Sequence, residues 1–222
     1  MTFHILTLFP EIFEGVFSQS ILKRAQDLKK IKIEMVNIRN FAKDKHKTVD
    51  DKPYGGGKGM VMKVDVLTKA LESIKEKPYS ILLSASGEKY TQKSAQILAK
   101  KSQIALICGH YEGIDARVEK FVDKTYSIGD FVLTGGEIGA MAIIDSVTRL
   151  MPGVIHRESL KFESFSEKYK LLEYSQYTRP EEFRKLKVPK ILLSGNHREI
   201  EQWRKVQALK RTRKNRPDLP NT

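Results

Sequence analysis

The chain has 222 residues and a mass of 25.4 kDa, enough for one large domain or two small ones. With 40% hydrophobic and 30% charged residues it is neither a disordered nor a fibrous chain, and no apolar run approaches the roughly 20 residues of a membrane-spanning helix. Forty Lys and Arg against 27 Asp and Glu leave a net charge of +13, which points to a polyanionic partner, nucleic acid before others.

The N-terminal MTFHILTLFPEIFEG reads as a first strand, His4–Phe9, and not as a signal peptide, since no basic region precedes an apolar stretch. Apolar residues at helical spacing from Ile12 to Leu28 predict a helix over Pro10–Leu28. Ile31, Ile33 and Met35 alternate as in a strand. Val64–Lys77 reads as a helix, and Ser80–Leu83 and Ile104–Cys108 as short buried strands flanking a helix over Thr91–Lys101. A further helix has Ile114, Val118 and Phe121 on its face. A long one over Glu137–Met151 stops at Pro152-Gly153. Strands alternating with helices imply an α/β domain with a mainly parallel sheet over residues 1–153. Residues 154–177 lack periodicity and read as a flexible linker. From 178 to 222 a small helical domain is expected, with capping patterns at Thr178–Glu181 and Asn196–Glu199. Residues 181–222 carry 12 Lys and Arg against 5 Asp and Glu, so the basic excess is concentrated there, as a nucleic-acid footprint would be.

Cys108 is the only cysteine, which excludes an intramolecular disulfide and a Cys-rich zinc site and fits a reducing cytoplasm. Three glycine-bearing segments carry the functional signal. DDKPYGGGKGM (50–60) is neither a P-loop nor a dinucleotide fingerprint. It favours a loop that approaches a ligand or nucleic acid, with a surface hairpin as the competing reading. ICGHYEGID (107–115) puts a turn at the carboxyl end of a strand, where open α/β sheets bind ligands. YSIGDFVLTGGE (126–137) brackets a loop between glycines before the long helix, its backbone amides suited to an adenosine edge or a carboxylate. No Ser–His–Asp, H-E-x-x-H or C-x-x-C pattern supports hydrolytic or zinc chemistry.

Taken in order, LFPEIF, DDKPYGGGKGM, CGHYEGIDARV, YSIGDFVLTGGE, IDSVTRLMPGV, ESF, YTRPEEF and LLSGNHREIEQWR closely resemble the bacterial tRNA (guanine-N1)-methyltransferases of the TrmD type, from Phe9 to about Arg213. The resemblance implies a SPOUT-type α/β fold, with a parallel sheet, helices on both faces and a deep trefoil knot. It implies a homodimer with the site across the interface, in the cytoplasm. The reaction it implies is transfer of the methyl of S-adenosylmethionine to N1 of the guanosine at tRNA position 37, with Mg²⁺ needed for activity but no metal ligands assigned. Carried over by position, the cofactor pocket comprises Leu82, Leu83, Ser84 and Ala85, then Gly109, Tyr111, Glu112 and Gly113. It is completed by Ser127, Ile128, Gly129, Asp130, Phe131, Val132, Leu133, Gly135 and Gly136. Ala85 stands where relatives often have Pro, and Gln176 where a histidine often precedes Tyr-Thr-Arg-Pro. Arg149 matches the arginine near guanine O6. Glu163 occupies the slot of the aspartate general base, with Glu158, Glu167 and Asp50 as the other acids available.

Overall fold

The computed structural model describes residues 1–166 and 170–219; Glu167, one of the alternative acids, lies outside them. The chain divides into two compact units, Met1–Ile155 and His156–Thr222.

In the first unit β1 (Thr2–Thr7) leads through a 3₁₀ turn at Pro10–Phe13 into α1 (Glu14–Phe17) and α2 (Ser20–Asp27). The single helix expected over Pro10–Leu28 is therefore broken: Gln19 is extended and Ser20 has φ of +52°, which no continuous helix accommodates. The apolar periodicity survives the break because Phe13, Phe17, Leu22 and Ala25 still face one core. Next come β2 (Lys32–Asn37), the short antiparallel pair β3 (Asp50–Asp51) and β4 (Val61–Met62), and α3 (Val64–Glu72). They are followed by β5 (Tyr79–Lys89), α4 (Gln92–Leu98) and β6 (Gln103–Cys108). The segment expected as a helix around Val118 is a 3₁₀ turn, Ala116–Phe121, and Phe121 faces solvent. β7 (Lys124–Ser127) and α5 (Glu137–Thr148) complete the unit.

Five strands form one parallel sheet in the order β2-β1-β6-β5-β7. Alternate residues feed two cores, because side chains along a strand point to opposite faces. Phe3, Ile5, Ile81, Leu83, Ile104 and Leu106 pack under α2, α4 and α5, whereas Leu6, Leu82, Ala105 and Ile107 pack under α3. Both faces of the sheet are thus covered by helices, as a parallel sheet requires.

The second unit opens with α6 (Arg157–Lys161), inside the stretch expected to be a linker. That stretch is stapled within its unit: Leu172 N–H donates to Thr212 Oγ1 (2.9 Å) and Glu173 N–H to Ser164 Oγ (2.9 Å). The expected helix start at Thr178–Glu181 is instead a hairpin, β8 (Glu182–Phe183) and β9 (Leu186–Lys187). Its two turn residues, Arg184 and Lys185, both have positive φ, the pattern of a two-residue hairpin turn. Pro189 disfavours helical geometry at Val188 and leaves too little chain for a helix after Glu181. α7 (His197–Asn215) starts at the expected cap, where Asn196 Oδ1 accepts from Glu199 N–H, and ends before Pro217. Among the described residues no helix is long and apolar enough to cross a membrane.

Candidate functional site

A cleft of about 440 Å³ opens at the carboxyl end of the sheet in the first unit. Three loops line it, each made by a distinct local cause. The first is a bulge in β5: Tyr126 of β7 pairs with both Leu83 and Glu88, so the residues between them loop out, bringing Ser84, Ala85 and Ser86 to the cleft. Gly87 lies at the recrossing, where a Cβ would stand 2.6 Å from the Tyr126 backbone.

The second loop follows β6. Tyr111 has φ of +62° and Gly113 of +128°. This turn is held by the β3–β4 hairpin: Glu112 N–H donates to Met60 O, Met62 N–H to Gly113 O and Asp115 N–H to Met62 O, each at 3.0 Å. The glycine run is therefore the tip and flank of a hairpin. Gly55, Gly56 and Gly57 all have positive φ, the first two in open space, beside a fully exposed Tyr54. Gly59 is constrained differently, since a Cβ there would lie 2.3 Å from Glu112 Cγ. The hairpin flank thus seats the Glu112 side chain against the rim, while the run itself does not line the cleft.

The third loop runs from β7 to α5. Ser127 Oγ donates to Gly129 O (2.9 Å) and accepts from Gly129 N–H (3.3 Å), setting the turn. Gly136 N–H donates to Gly109 O (2.9 Å), tying the second loop to the third. A Cβ at Gly136 would meet Cys108 Cα at 2.7 Å, so the start of α5 sits directly on the end of β6.

Every residue assigned to the pocket by position lines this one cleft except Asp130. Asp130 faces outward and pairs with Lys89 at 3.6 Å. Arg149 caps the far end of α5 and is not among the lining residues. Glu163 belongs to the second unit, where its carbonyl accepts from Ser166 N–H (3.2 Å) and Phe165 beside it has φ of +64°. Of the other acids, Glu158 is engaged by Lys161, which holds its carboxyl below the usual range, and Asp50 lies in β3. Gln176 donates to the Glu173 carboxylate.

Three residues that sequence reasoning did not assign belong to this region: His110, which lines the cleft, and Glu137 and Cys108 beside it. Glu137, the first residue of α5, is 2% exposed; its Oε1 accepts from Thr7 Oγ1 (2.7 Å) and its Oε2 faces His110 Nε2 (3.1 Å). An acid opening a helix reads in sequence as a solvent-facing partner of the helix dipole, so its burial gave no signal. Cys108 is buried, and burial, with the Glu137 carboxylate second, pushes its thiol up, away from nucleophilic thiolate chemistry. Among the described residues no group of three or more His, Cys, Asp or Glu side chains gathers to hold a metal ion.

The cleft offers a loop-lined cradle that includes Leu83, Ile128 and Leu133, and the thiol of Cys108 beside it is not activated. That arrangement suits binding and orienting a reactive small molecule rather than forming a covalent intermediate. Comparison with known proteins agrees in kind. The family model described as tRNA (Guanine-1)-methyltransferase TrmD matches residues 1–222. A tRNA (guanine-N(1)-)-methyltransferase of Caldanaerobacter subterraneus subsp. tengcongensis is 55% identical over 222 residues, 99% of this chain and 91% of the relative. One from Dictyoglomus turgidum is 54% identical over 217 residues, covering 97% and 88%, and one from Geobacillus kaustophilus 53% identical over 224 residues, covering 99% and 91%.

Proposed function

The chain belongs to the tRNA (guanine-1)-methyltransferase family, and from that premise we propose how its residues carry the reaction. It is a transferase that methylates N1 of the guanosine at tRNA position 37, with S-adenosylmethionine as donor. The observation that carries the reading is the convergence of the bulge in β5 and the loops after β6 and β7 on one cleft. Bound there, S-adenosylmethionine supplies an electrophilic methyl on a sulfonium.

The protein's part is binding, orientation and proton management. Backbone groups of the loops at 84–86, 109–113 and 127–136 hold the donor, and the close Gly136–Gly109 contact fixes their spacing. Neutral guanine N1 carries a proton that must leave as the methyl arrives, so a base is required. Glu163 is proposed for that role because Ser164-Phe165 continue the family motif in register. Negative charge then spreads to O6, and Arg149 is proposed to stabilise it, an effect of about 2.7–4 kcal/mol for a well-placed donor.

A trefoil knot is proposed for the first unit. What supports it is the return of the chain from the edge strand β7, which lays Gly136 on the end of β6 and packs α5 in one core with the inner strands. A homodimer is proposed as well. Val132 is 90% exposed on the cleft rim and Ile138 and Phe131 are each more than half exposed, an apolar surface that a second copy would cover. The basic outer face of α7 is proposed to meet tRNA phosphates, and the cytoplasm is the proposed site of action.

The test uses labelled S-adenosylmethionine and two transcripts of one tRNA, with G37 or A37. Label at N1 of G37 and none on the A37 transcript is expected. Absence of label on both, with no calorimetric binding of S-adenosylmethionine, would overturn the reading.

A further inference from the structure

Glu137 is nearly inaccessible, yet it is ionisable and opens a helix. Favourable interaction with the helix dipole needs no burial, and burying a carboxylate is unfavourable unless hydrogen bonds replace its water. Two do so. The Thr7 hydroxyl has one proton and gives it to Glu137 Oε1 at 2.7 Å, while its oxygen accepts Phe9 N–H at 3.0 Å. The second partner is His110 Nε2, 3.1 Å from Oε2. A carboxylate only accepts, so it requires the imidazole to carry its proton on Nε2.

His110 stands at the start of the loop that lines the cleft. Its ring packs edge-on against Phe9 (4.8 Å), its backbone N–H donates to Met62 Sδ (3.3 Å), and its carbonyl accepts from Gly113 N–H (3.2 Å). The next residue, Tyr111, is held in the left-handed region, a conformation that persists only where its surroundings enforce it. Space is arranged around the same pair. A Cβ on Gly135 would stand 2.3 Å from His110 Nε2 and 2.4 Å from Glu137 Oε2. Gly135 is not in the positive-φ region, so it is small to admit the Glu137–His110 contact, not to turn the chain.

We propose that Glu137 is a positioning residue for the cleft: it fixes His110 in the Nε2–H form and thereby holds the 109–113 loop in its donor-binding shape. The inference rests on the reading that this cleft takes S-adenosylmethionine. The effect belongs to binding, because neither Glu137 nor His110 is placed on the reacting atoms.

The test has one arm that is independent of the donor. Glu137→Gln still accepts from Thr7 through its carbonyl, which turns its amide N–H toward His110 and requires Nε2 to become the acceptor. In ¹⁵N-histidine-labelled protein, the His110 proton is expected on Nε2 in the wild type and on Nδ1 in Glu137→Gln. The second arm is affinity. Glu137→Gln should weaken S-adenosylmethionine binding about tenfold or more, as loss of a hydrogen bond to a charged group does, with the single-turnover rate at saturating donor changed less than about threefold. His110→Gln places an amide donor near the Nε2 position and should retain most of the affinity. His110→Asn is too short and should lose about as much as Glu137→Gln. This glutamine–asparagine contrast keeps the test decisive if Glu137→Gln does not fold. The same His110 tautomer in both proteins, or equal donor affinity for His110→Gln and His110→Asn, would overturn the proposal. A wild type that binds no donor would instead remove the cleft reading itself.

Discussion

Two glycines three residues apart should respond to alanine in opposite directions. Gly136 has φ of −77° and ψ of −8°, which alanine adopts freely, so any effect there is packing alone. Its new Cβ would lie 2.7 Å from Cys108 Cα and 3.1 Å from Gly109 N, and ordinary contact starts near 3.4 Å. The start of α5 must therefore withdraw by about 0.7 Å, and both obstructing atoms are backbone, so neither can rotate away. Overpacking of this kind costs about 1–3 kcal/mol, and weakening of the Gly136 N–H to Gly109 O bond adds about 1 kcal/mol. Gly136→Ala should thus lose roughly 2–4 kcal/mol of stability. Because the strained contact joins two loops of the cleft, affinity for S-adenosylmethionine should also fall about tenfold, the equivalent of about 1.4 kcal/mol. Gly139 lies inside α5, and a Cβ there would meet Leu83 and Ile128 side chains at 3.5 and 3.6 Å, ordinary van der Waals contact. Gly139→Ala should stabilise the protein by up to about 1 kcal/mol through helix propensity. Urea denaturation gives the midpoints and calorimetry the affinities. Equal midpoints for Gly136→Ala and the wild type, with unchanged donor affinity, would refute the packing argument.

Glu163→Gln preserves size but not basicity, and should slow methyl transfer by about 10²-fold or more at neutral pH while donor and tRNA affinities hold; a near-wild-type single-turnover rate would reassign the base. Replacing Lys210, Arg211 or Lys214, all exposed on α7, with alanine should lower the salt slope of tRNA binding by about 0.7–0.9 for each phosphate the side chain neutralises; slopes identical to wild type would make this face a solvated surface only. Truncation at Leu209 is a poorer test, since it removes Thr212, whose hydroxyl holds Leu172 N–H. Burial alone would raise the Asp123 carboxyl, but hydrogen bonds from Ser80 N–H and Oγ, both 2.8 Å, with Lys77 and Lys101 nearby, outweigh it and hold its pKa below the usual value. A depressed folded-state pKa gives stability that is present above the unfolded value, about 3.9, and is lost as pH falls through the folded one. Asp123→Asn should therefore lose about 1 kcal/mol at pH 7, discounted for partial exposure, and its deficit should close in acid; a deficit independent of pH would exclude linkage through this group.

Much of the first unit was legible in the sequence because its strands and helices are buried through regular spacing. Ile104–Cys108 reads as a strand and is one, since alternate residues enter two cores. Asn196 announced a helix start because a cap acts within a few residues of its own position, whereas the same pattern at Thr178 was overridden by the hairpin that follows. What depended on distant partners was not legible. β7 is a half-polar tetrapeptide whose strand character comes from pairing with β5, and the bulge that shapes the first cleft loop exists only through that pairing. The β8–β9 turn has Arg184 and Lys185 where glycine or asparagine would have signalled it. The residues that motif register named nearly all line the cleft, but only the assembled loop turns Asp130 outward. Glycines in the sequence could mean turning or close approach, two demands with different physics. The structure separates them: Gly55 and Gly56 turn in open space, whereas Gly135 and Gly136 make room for the Glu137–His110 hydrogen bond and for the end of β6. Burial of Glu137 is a property of three segments meeting, Thr7, His110 and α5, and no local pattern encodes it.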